Sequence, residues 1–424
     1  MISRRLAQAT AFAISDQAAT SVASFIANAI LIHYASKTSY GIYVVAMSTL
    51  VLIASTVDVL FSLQMTYLTP HHPAQDQKAF CAALRSAQTY TSVALAIVIC
   101  CVSLVAGACQ LISPAMMRMG VIIAAGSLFI SWQEYYRSLL FLFDSAGAAF
   151  FLGMVQIVVW MSVAAAAIWH LTPLPMNESV LSGYCIGAAV AAAVGYVIAP
   201  LPPRPSWSQV RAAAAEAWEQ GSWSLLGSII SWLQTQSFAW LLAVLASAAA
   251  AAEASFAKLF FAPLGLMLSA VNRVARPTLG KVYAKSGERA AVGQGRQLLM
   301  AMIALVAVYC PTILVLKDWV IAKAAVTGYA NASALIVAWG VVTAVQVTRW
   351  NSTLLLGVLR RNRQMTTVQM VSAAAALVAS FAAIPRLGPM GAILSVGIGE
   401  AFLSLLMWRQ IDLATSIARN SASS

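Results

Sequence analysis

Long apolar runs, separated by short stretches of polar residues, glycine or proline, repeat about twelve times along this chain. The runs are continuous and do not alternate at period two, so they predict helices and not the strands of a barrel. A bilayer crossing needs about 20 mainly apolar residues. Backbone inside hydrocarbon must also satisfy its own hydrogen bonds, which a helix does. The pattern places helices at about 10–34, 42–68, 87–112, 116–142, 147–170 and 179–199, and again at about 221–246, 252–272, 296–316, 330–358, 365–384 and 389–408. Between the two sets stands Pro200-Leu201-Pro202-Pro203-Arg204-Pro205, the densest proline cluster in the chain. Proline removes a donor and fixes φ, so no helix continues through it. The next stretch, Trp207 to Gln220, reads as a short amphipathic helix on the membrane surface. The expected organisation is an N-terminal six-helix bundle (1–200), a linker with a surface helix (201–220) and a C-terminal six-helix bundle (221–424). Six helices on each side of a linker is the duplication common in transporters.

Composition agrees with an all-α polytopic membrane protein. Hydrophobic residues make up 61% of the chain and charged ones 9%, against about 25% charged in a soluble domain. The formal net charge of +12 therefore reads as loop charge rather than a nucleic-acid surface. With the N-terminus in the cytoplasm, most of the 25 lysines and arginines fall in inside loops, among them Arg4, Arg5, Arg85, Arg137, Arg204, Arg273, Arg360, Arg361 and Arg419. Outside loops hold only Lys37, Arg118, Lys317, Lys323 and Arg386. That asymmetry follows the positive-inside rule and puts both termini in the cytoplasm. The apolar run behind Arg4 and Arg5 continues to Tyr34, too long for a cleaved signal, so it reads as an uncleaved first helix. The six cysteines form no C-x-x-C or Cys/His ligand pattern and read as small core residues.

Catalytic chemistry finds no support. No H-E-x-x-H, G-x-S-x-G or Walker A sequence is present. His71-His72, flanked by Pro70 and Pro73, reads as a polar turn before it reads as a metal site. The informative residues are ionisable groups inside the apolar runs, because such groups are costly in hydrocarbon and normally face a bundle interior or a wet cavity. They are Asp16 in the first helix, Asp58 in the second, Lys258 in the eighth, Arg349 in the tenth, near Gln346 and Asn351, and Glu400 in the twelfth. Arg349 reads either as lining a polar cavity or as half of a structural pair with Asp58 or Glu400. Lys258 can equally snorkel along its aliphatic stem, and Asp16 lies near enough to its helix end to do the same. Cations in the second half and carboxylates in the first could latch two bundles across a cleft. A cationic cleft would suit an anionic solute such as a diphosphate.

Two helices carry polar stripes. Gln17, Ser21, Ser24 and Asn28 follow helical spacing in the first, and the seventh opens with Gly221, Ser222, Ser224, Gly227, Ser228, Ser231 and Gln234. Such stripes suit either a shared cleft or close helix packing through small residues.

Ser15-Asp16-Gln17-Ala18, then Ser24-Phe25-Ile26-Ala27-Asn28 and Tyr40-Gly41-Ile42-Tyr43, resemble the opening of the polysaccharide biosynthesis exporters. These are the O-antigen and lipid-linked oligosaccharide flippases of the multidrug/oligosaccharidyl-lipid/polysaccharide (MOP) superfamily. Glu134-Tyr135-Tyr136-Arg137, Arg276-Pro277-Thr278-Leu279 and Arg360-Arg361-Asn362-Arg363 resemble the family's helix ends. One departure is Ser36-Lys37-Thr38-Ser39, where the family often has Leu-Gly-Pro-Glu. The resemblance implies a MATE-like fold of two six-helix bundles around a central cavity opening alternately to each side. It implies flipping of an undecaprenyl-diphosphate-linked glycan across the bacterial inner membrane, with no bound cofactor. Coupling to protons or sodium would use Asp16, Asp58 or Glu400. Arg349 and Lys258, with Asp58, Gln346 and Asn351, would line the substrate path. Membrane lipids, and polymerase and export proteins of the same glycan, would be partners. Three other readings compete, one of them a non-transporting scaffold of a polysaccharide assembly complex, which would leave the buried charges without a purpose beyond structure. A drug or cation antiporter of the same superfamily wants an acidic, more apolar cavity. A membrane-embedded glycan polymerase or ligase wants a long outer loop that this chain does not have.

Overall fold

The computed structural model describes residues 4–202, 205–323, 329, 332–359 and 361–421. The expected linker residues Pro203 and Arg204 and the loop cation Arg360 lie outside the described residues, as do the side chains of Arg4, Arg5, Arg273, Lys323 and Arg419. The described chain is all-α and forms two compact units, Met1–Ile229 and Ile230–Ser424. Ten helical stretches among the described residues are long and apolar enough to cross a membrane. The expected first span carries the polar stripe that lowers its hydropathy, and the expected eighth is shorter than a span.

The first unit contains α1 (Arg4–Tyr34), α2 (Lys37–Val57), a π turn (Asp58–Ser62), α3 (Leu63–Leu68), α4 (Gln77–Ala108), α5 (Pro114–Leu142), α6 (Ala146–Ile168) and α7 (Met176–Ile198). It also holds the first part of α8 (Trp207–Leu245). Local chemistry sets several of these ends. Ser36 caps α2 by accepting from the Ser39 amide at 3.1 Å, so α2 starts at Lys37 and not at 42. Ser113 caps α5, with Pro114 in the first turn where its missing N–H costs nothing. At α8 the Ser206 amide donates to Gln209 Oε1 (2.8 Å) while the Gln209 amide donates back to Ser206 Oγ (3.4 Å), a reciprocal capping box.

Two expected boundaries move for physical reasons. α4 begins at Gln77 rather than 87 because Phe80, Ala83, Leu84 and Ala87 form a buried helical stripe that the charges Lys78 and Arg85 hide in the sequence. The expected surface helix and seventh span are one continuous α8. Gly221 alone separates them, and one interior glycine costs a helix only about 1 kcal/mol.

α5 packs against both α4 and α7, α6 lies on α7, and α1 lies on α6. Gly187 makes the α6–α7 approach possible: a Cβ there would stand 2.5 Å from the Gln156 carbonyl oxygen. Met65, Leu84, Tyr135, Leu139 and Leu152 belong to the core beneath. Tyr135 donates to the Cys81 carbonyl at 2.5 Å, which ties α5 to α4. Cys81 and Cys185 are core residues, whereas Cys101 and Cys109 are exposed, contrary to the expected reading.

The second unit contains the end of α8, then α9 (Ala248–Leu259), α10 (Ala262–Lys323), α11 (Ala332–Val358), α12 (Asn362–Leu387) and α13 (Pro389–Ser421). The expected eighth span at 252–272 breaks at Phe260–Phe261, because Pro263 fits a helix's first turn and not its interior. The Phe260 carbonyl at the break accepts from the Tyr309 hydroxyl at 2.8 Å. α10 leaves helical geometry at Gly287 (φ 77°, ψ −177°), a conformation open to glycine. α13 packs against α11 and α12, and α11 against α10 and α9.

Candidate functional site

Each unit buries a charged set of its own. In the first, α1 lays Asp16 against α5, where Asp16 Oδ2 meets Arg137 Nη2 at 2.6 Å. The carboxylate is 1% exposed. Arg137 Nη1 also meets Glu134 Oε1, one turn back on α5, at 2.9 Å. Asp58 and the Tyr184 hydroxyl lie within electrostatic reach of the same guanidinium. Asp58 opens the π turn, where the Leu63 amide bonds back to the Asp58 carbonyl. An extra residue in the turn rotates the side chains that follow it, and such bulges are frequent at functional sites. Gln133 donates to Gln156 Oε1 at 2.6 Å and extends the polar layer to α6. Small size at Gly153 makes room for the acid, since a Cβ there would lie 2.1 Å from Asp16 Oδ1.

Arg137 corrects the sequence reading, which placed it among inside-loop charges. It is an interior cation, because it pairs with the buried Asp16 of α1 as well as with Glu134 on its own helix. Glu134 was likewise quoted only as part of a helix-end motif. A usable signal was present: Arg137 follows Glu134 by three residues and Gln133 by four, one helical turn, among the aromatic residues Trp132, Tyr135 and Tyr136. Arg85, also expected in a loop, stands on α4 and donates to the Tyr136 hydroxyl at 3.0 Å.

In the second unit, Arg349 Nε on α11 meets Glu400 Oε2 on α13 at 2.5 Å. Gln346 donates to the other oxygen, Oε1, at 3.1 Å. Glu400 is 0% exposed, so both its oxygens are engaged inside the bundle. Breaking such a buried pair from one side leaves an uncompensated charge. Thr348 donates to Ser404 at 2.9 Å and adds a second polar tie between the same helices. Asn351 does not join this set. It is fully buried and donates to the Gly295 carbonyl at 3.1 Å, linking α11 to α10.

Lys258 makes no ion-pair contact with either member of the pair but lies within electrostatic reach of Glu400. Its ammonium donates to the Thr235 carbonyl (3.4 Å) and Gln236 Oε1 (3.5 Å) on α8. It also lies 4.7 Å from the Phe238 ring centroid and 5.2 Å from that of Trp339. Among the described residues no carboxylate lies within 4.0 Å of it. Neutral dipoles and π faces hold this cation, and it stays half-buried.

The polar stripe of α1 is half-buried within its own unit, and its far end is fixed: Tyr40 donates to Asn28 Oδ1 at 3.0 Å. His72 stacks on Phe80 (centroids 4.0 Å apart) and lies 3.3 Å from Glu216. No group of three or more potential metal ligands occurs among the described residues.

The fold is similar to that of solved membrane transporters. An outward-facing multidrug resistance MATE family transporter of the MOP superfamily superimposes with a TM-score of 0.66 at 11% identity, over 98% of this chain and 96% of that one. The lipid II flippase MurJ, inward closed, gives a TM-score of 0.75 at 11% identity, over 94% and 87%. A MOP superfamily transporter from Pyrococcus furiosus gives 0.67 at 11%, over 97% and 95%. No family model and no curated protein matches the chain. The fold is MATE-like, as expected. At these identities the likeness establishes the fold and leaves the cargo open.

Proposed function

We propose that this protein flips a polyprenyl-diphosphate-linked oligosaccharide across the bacterial inner membrane by alternating access, with both termini in the cytoplasm, as a step in surface polysaccharide biosynthesis. It is read as a transporter and not an enzyme. The observation that carries the reading is Lys258, a half-buried cation held by carbonyls and aromatic faces with no carboxylate at ion-pair distance among the described residues. A site of this kind offers an anionic headgroup a cation whose direct contacts are neutral, since Glu400, the carboxylate within its electrostatic reach, is paired with Arg349. Arg349, engaged by Glu400, would exchange part of that contact for diphosphate, and Gln346 would be released toward sugar hydroxyls. Asn351 takes a structural part here, because its amide is committed to Gly295. Asp16 and Asp58, around Arg137, and Glu400 are the proposed places for a coupling proton or sodium ion. The sugar head needs a wet path, while the polyprenyl tail can stay in lipid. The fold shared with a protein named as a lipid II flippase supports this direction.

One observation favours a second reading. Among the described residues Asp16 and Glu134 both pair with Arg137, and Asp58 lies within its electrostatic reach, an acidic surplus that suits a drug or cation antiporter. An export assay in a deletion strain separates the two. Surface polysaccharide and inner-leaflet lipid-linked oligosaccharide are quantified together. Lost surface glycan with intermediates trapped on the cytoplasmic side is the expected result. An unchanged glycan pool with altered drug sensitivity would sink the flippase reading. Single units reaching the outer leaflet without polymer would point to a polymerase.

A further inference from the structure

A second candidate site lies in the first unit, away from the Arg137 set. α4, α5 and α7 enclose a cavity of about 620 Å³, lined among others by Arg85, Thr89, Tyr90, Trp132, Tyr136 and Tyr196. The Arg85 guanidinium sits at one end. Its acceptor is the neutral Tyr136 hydroxyl at 3.0 Å, and its carbon lies 5.7 Å from the Tyr196 ring centroid. Among the described residues no carboxylate lies within ion-pair distance of it. Trp132 donates to Thr89 Oγ1 at 3.0 Å, which fixes the indole as one wall. The mouth is open and apolar: Tyr90 is 56% and Tyr196 62% exposed.

What continues from the mouth identifies the occupant. Beyond Tyr90, α4 presents Ile97 and Leu104 outward on the same face, at seven-residue spacing. An apolar chain lying on Tyr90 would run onto this strip. In the other direction Lys78 stands two turns before Arg85 on the same face of α4, exposed, about 10 Å along the axis. The order along the helix is therefore exposed cation, half-buried cation, aromatic box, aliphatic strip. A phospholipid in one leaflet has the matching order of anionic headgroup, glycerol and acyl chain. Basic pockets between transmembrane helices on the cytoplasmic side are the kind of site that takes anionic headgroups, and aromatic rings suit the interfacial depth.

We propose that the α4–α5–α7 cavity is a binding site for an anionic phospholipid, its phosphate on Arg85 and an acyl chain over Tyr90, Trp132 and Tyr196. The site rests on the proposed topology and is independent of the cargo reading. Occupancy would brace α4 against α5 and α7.

The test is native mass spectrometry of the full chain in detergent, titrated with phosphatidylglycerol and, separately, with phosphatidylcholine. The wild type should retain one phosphatidylglycerol in preference to phosphatidylcholine. Arg85→Gln should lower that retention about fivefold, the scale of one cation facing an anionic headgroup. Arg211→Gln, which removes an exposed cation elsewhere, should leave it unchanged. Ala193→Trp fills the cavity without touching Arg85 and should reduce binding of both lipids, so it carries the test if Arg85→Gln does not fold. Equal retention of the two lipids by the wild type overturns the proposal, as does unchanged binding in Ala193→Trp. Displacement of phosphatidylglycerol by equimolar undecaprenyl phosphate also overturns it and gives the cavity to the polyprenyl carrier.

Discussion

Both units bury an arginine against a carboxylate from another helix, but they end with opposite surpluses. Around Arg137, Asp16 and Glu134 pair with the guanidinium and Asp58 lies within its electrostatic reach. Among the described residues Glu400 pairs with Arg349 and also lies within electrostatic reach of Lys258, so two cations share one acid, and the direct contacts of Lys258 are neutral. Charge inside a membrane bundle is tolerated when it is paired or held by dipoles. What differs between the units is therefore the charge left over once pairing is complete. In the first unit it is acidic, suited to a proton or small cation. In the second it is basic, suited to an anionic headgroup.

The largest test of this comparison is Arg137→Ala. It strips the cation from three acids at once and should destabilise by more than about 3–5 kcal/mol, the cost of breaking one buried pair. Thermal unfolding of the detergent-solubilised protein measures this, with partial recovery expected on adding Asp16→Asn. No recovery would mean that Asp16 is not the principal partner. Arg349→Ala should cost about 3–5 kcal/mol and abolish glycan export. Adding Glu400→Gln should return stability without returning export. Export restored along with stability would make the arginine purely structural.

Gly153→Ala comes next, at about 1–3 kcal/mol for forcing a methyl into an occupied site. Because that methyl displaces the Asp16 carboxylate, the loss should shrink in an Asp16→Ala background, and double-mutant unfolding shows whether it does. Lys258→Met should cost at most about 2 kcal/mol, the upper scale of a desolvated cation–π contact. Its effect on export should be far larger than its effect on melting, whereas equal proportions would argue against a headgroup contact. The smallest expected effects are the helix caps, Ser36→Ala in the first unit and Ser247→Ala in the second. Each loses a side-chain acceptor for a backbone amide at 3.1 Å and should cost about 1 kcal/mol. Similar values in the two units would show that they differ in buried charge and not in ordinary helix energetics.

Much of this was legible in the chain. Helix type followed from the apolar runs, and the ionisable residues of the second unit stood out because they interrupt such runs. Arg137, Glu134 and Arg85 did not stand out, because each lies near the end of a run, where a charge ordinarily belongs to a loop. The helix of Arg85 extends further than hydropathy indicates, while Glu134 and Arg137 lie in the last turns of a helix whose end was expected at 142. α4 continues back to Gln77 because its buried stripe needs only every third or fourth residue apolar. The break before Pro263 was missed for the converse reason: hydropathy stays high through Phe260 and Phe261, and only backbone chemistry stops the helix there.

By itself the sequence determined the solvent and the secondary structure. With so few charges and so many apolar runs, no other solution satisfies the backbone in hydrocarbon. It also determined which ionisable groups had to be explained. Tertiary structure decided the pairing. Arg349 had two candidate acids, and helix packing chose Glu400, because α11 and α13 lie side by side. Asp16 met Arg137 because Gly153 lets α1 lie close on α6. A one-dimensional pattern fixes how often an apolar face recurs along a helix. Which two faces meet depends on where small residues permit close approach, and that becomes visible only when the helices are packed.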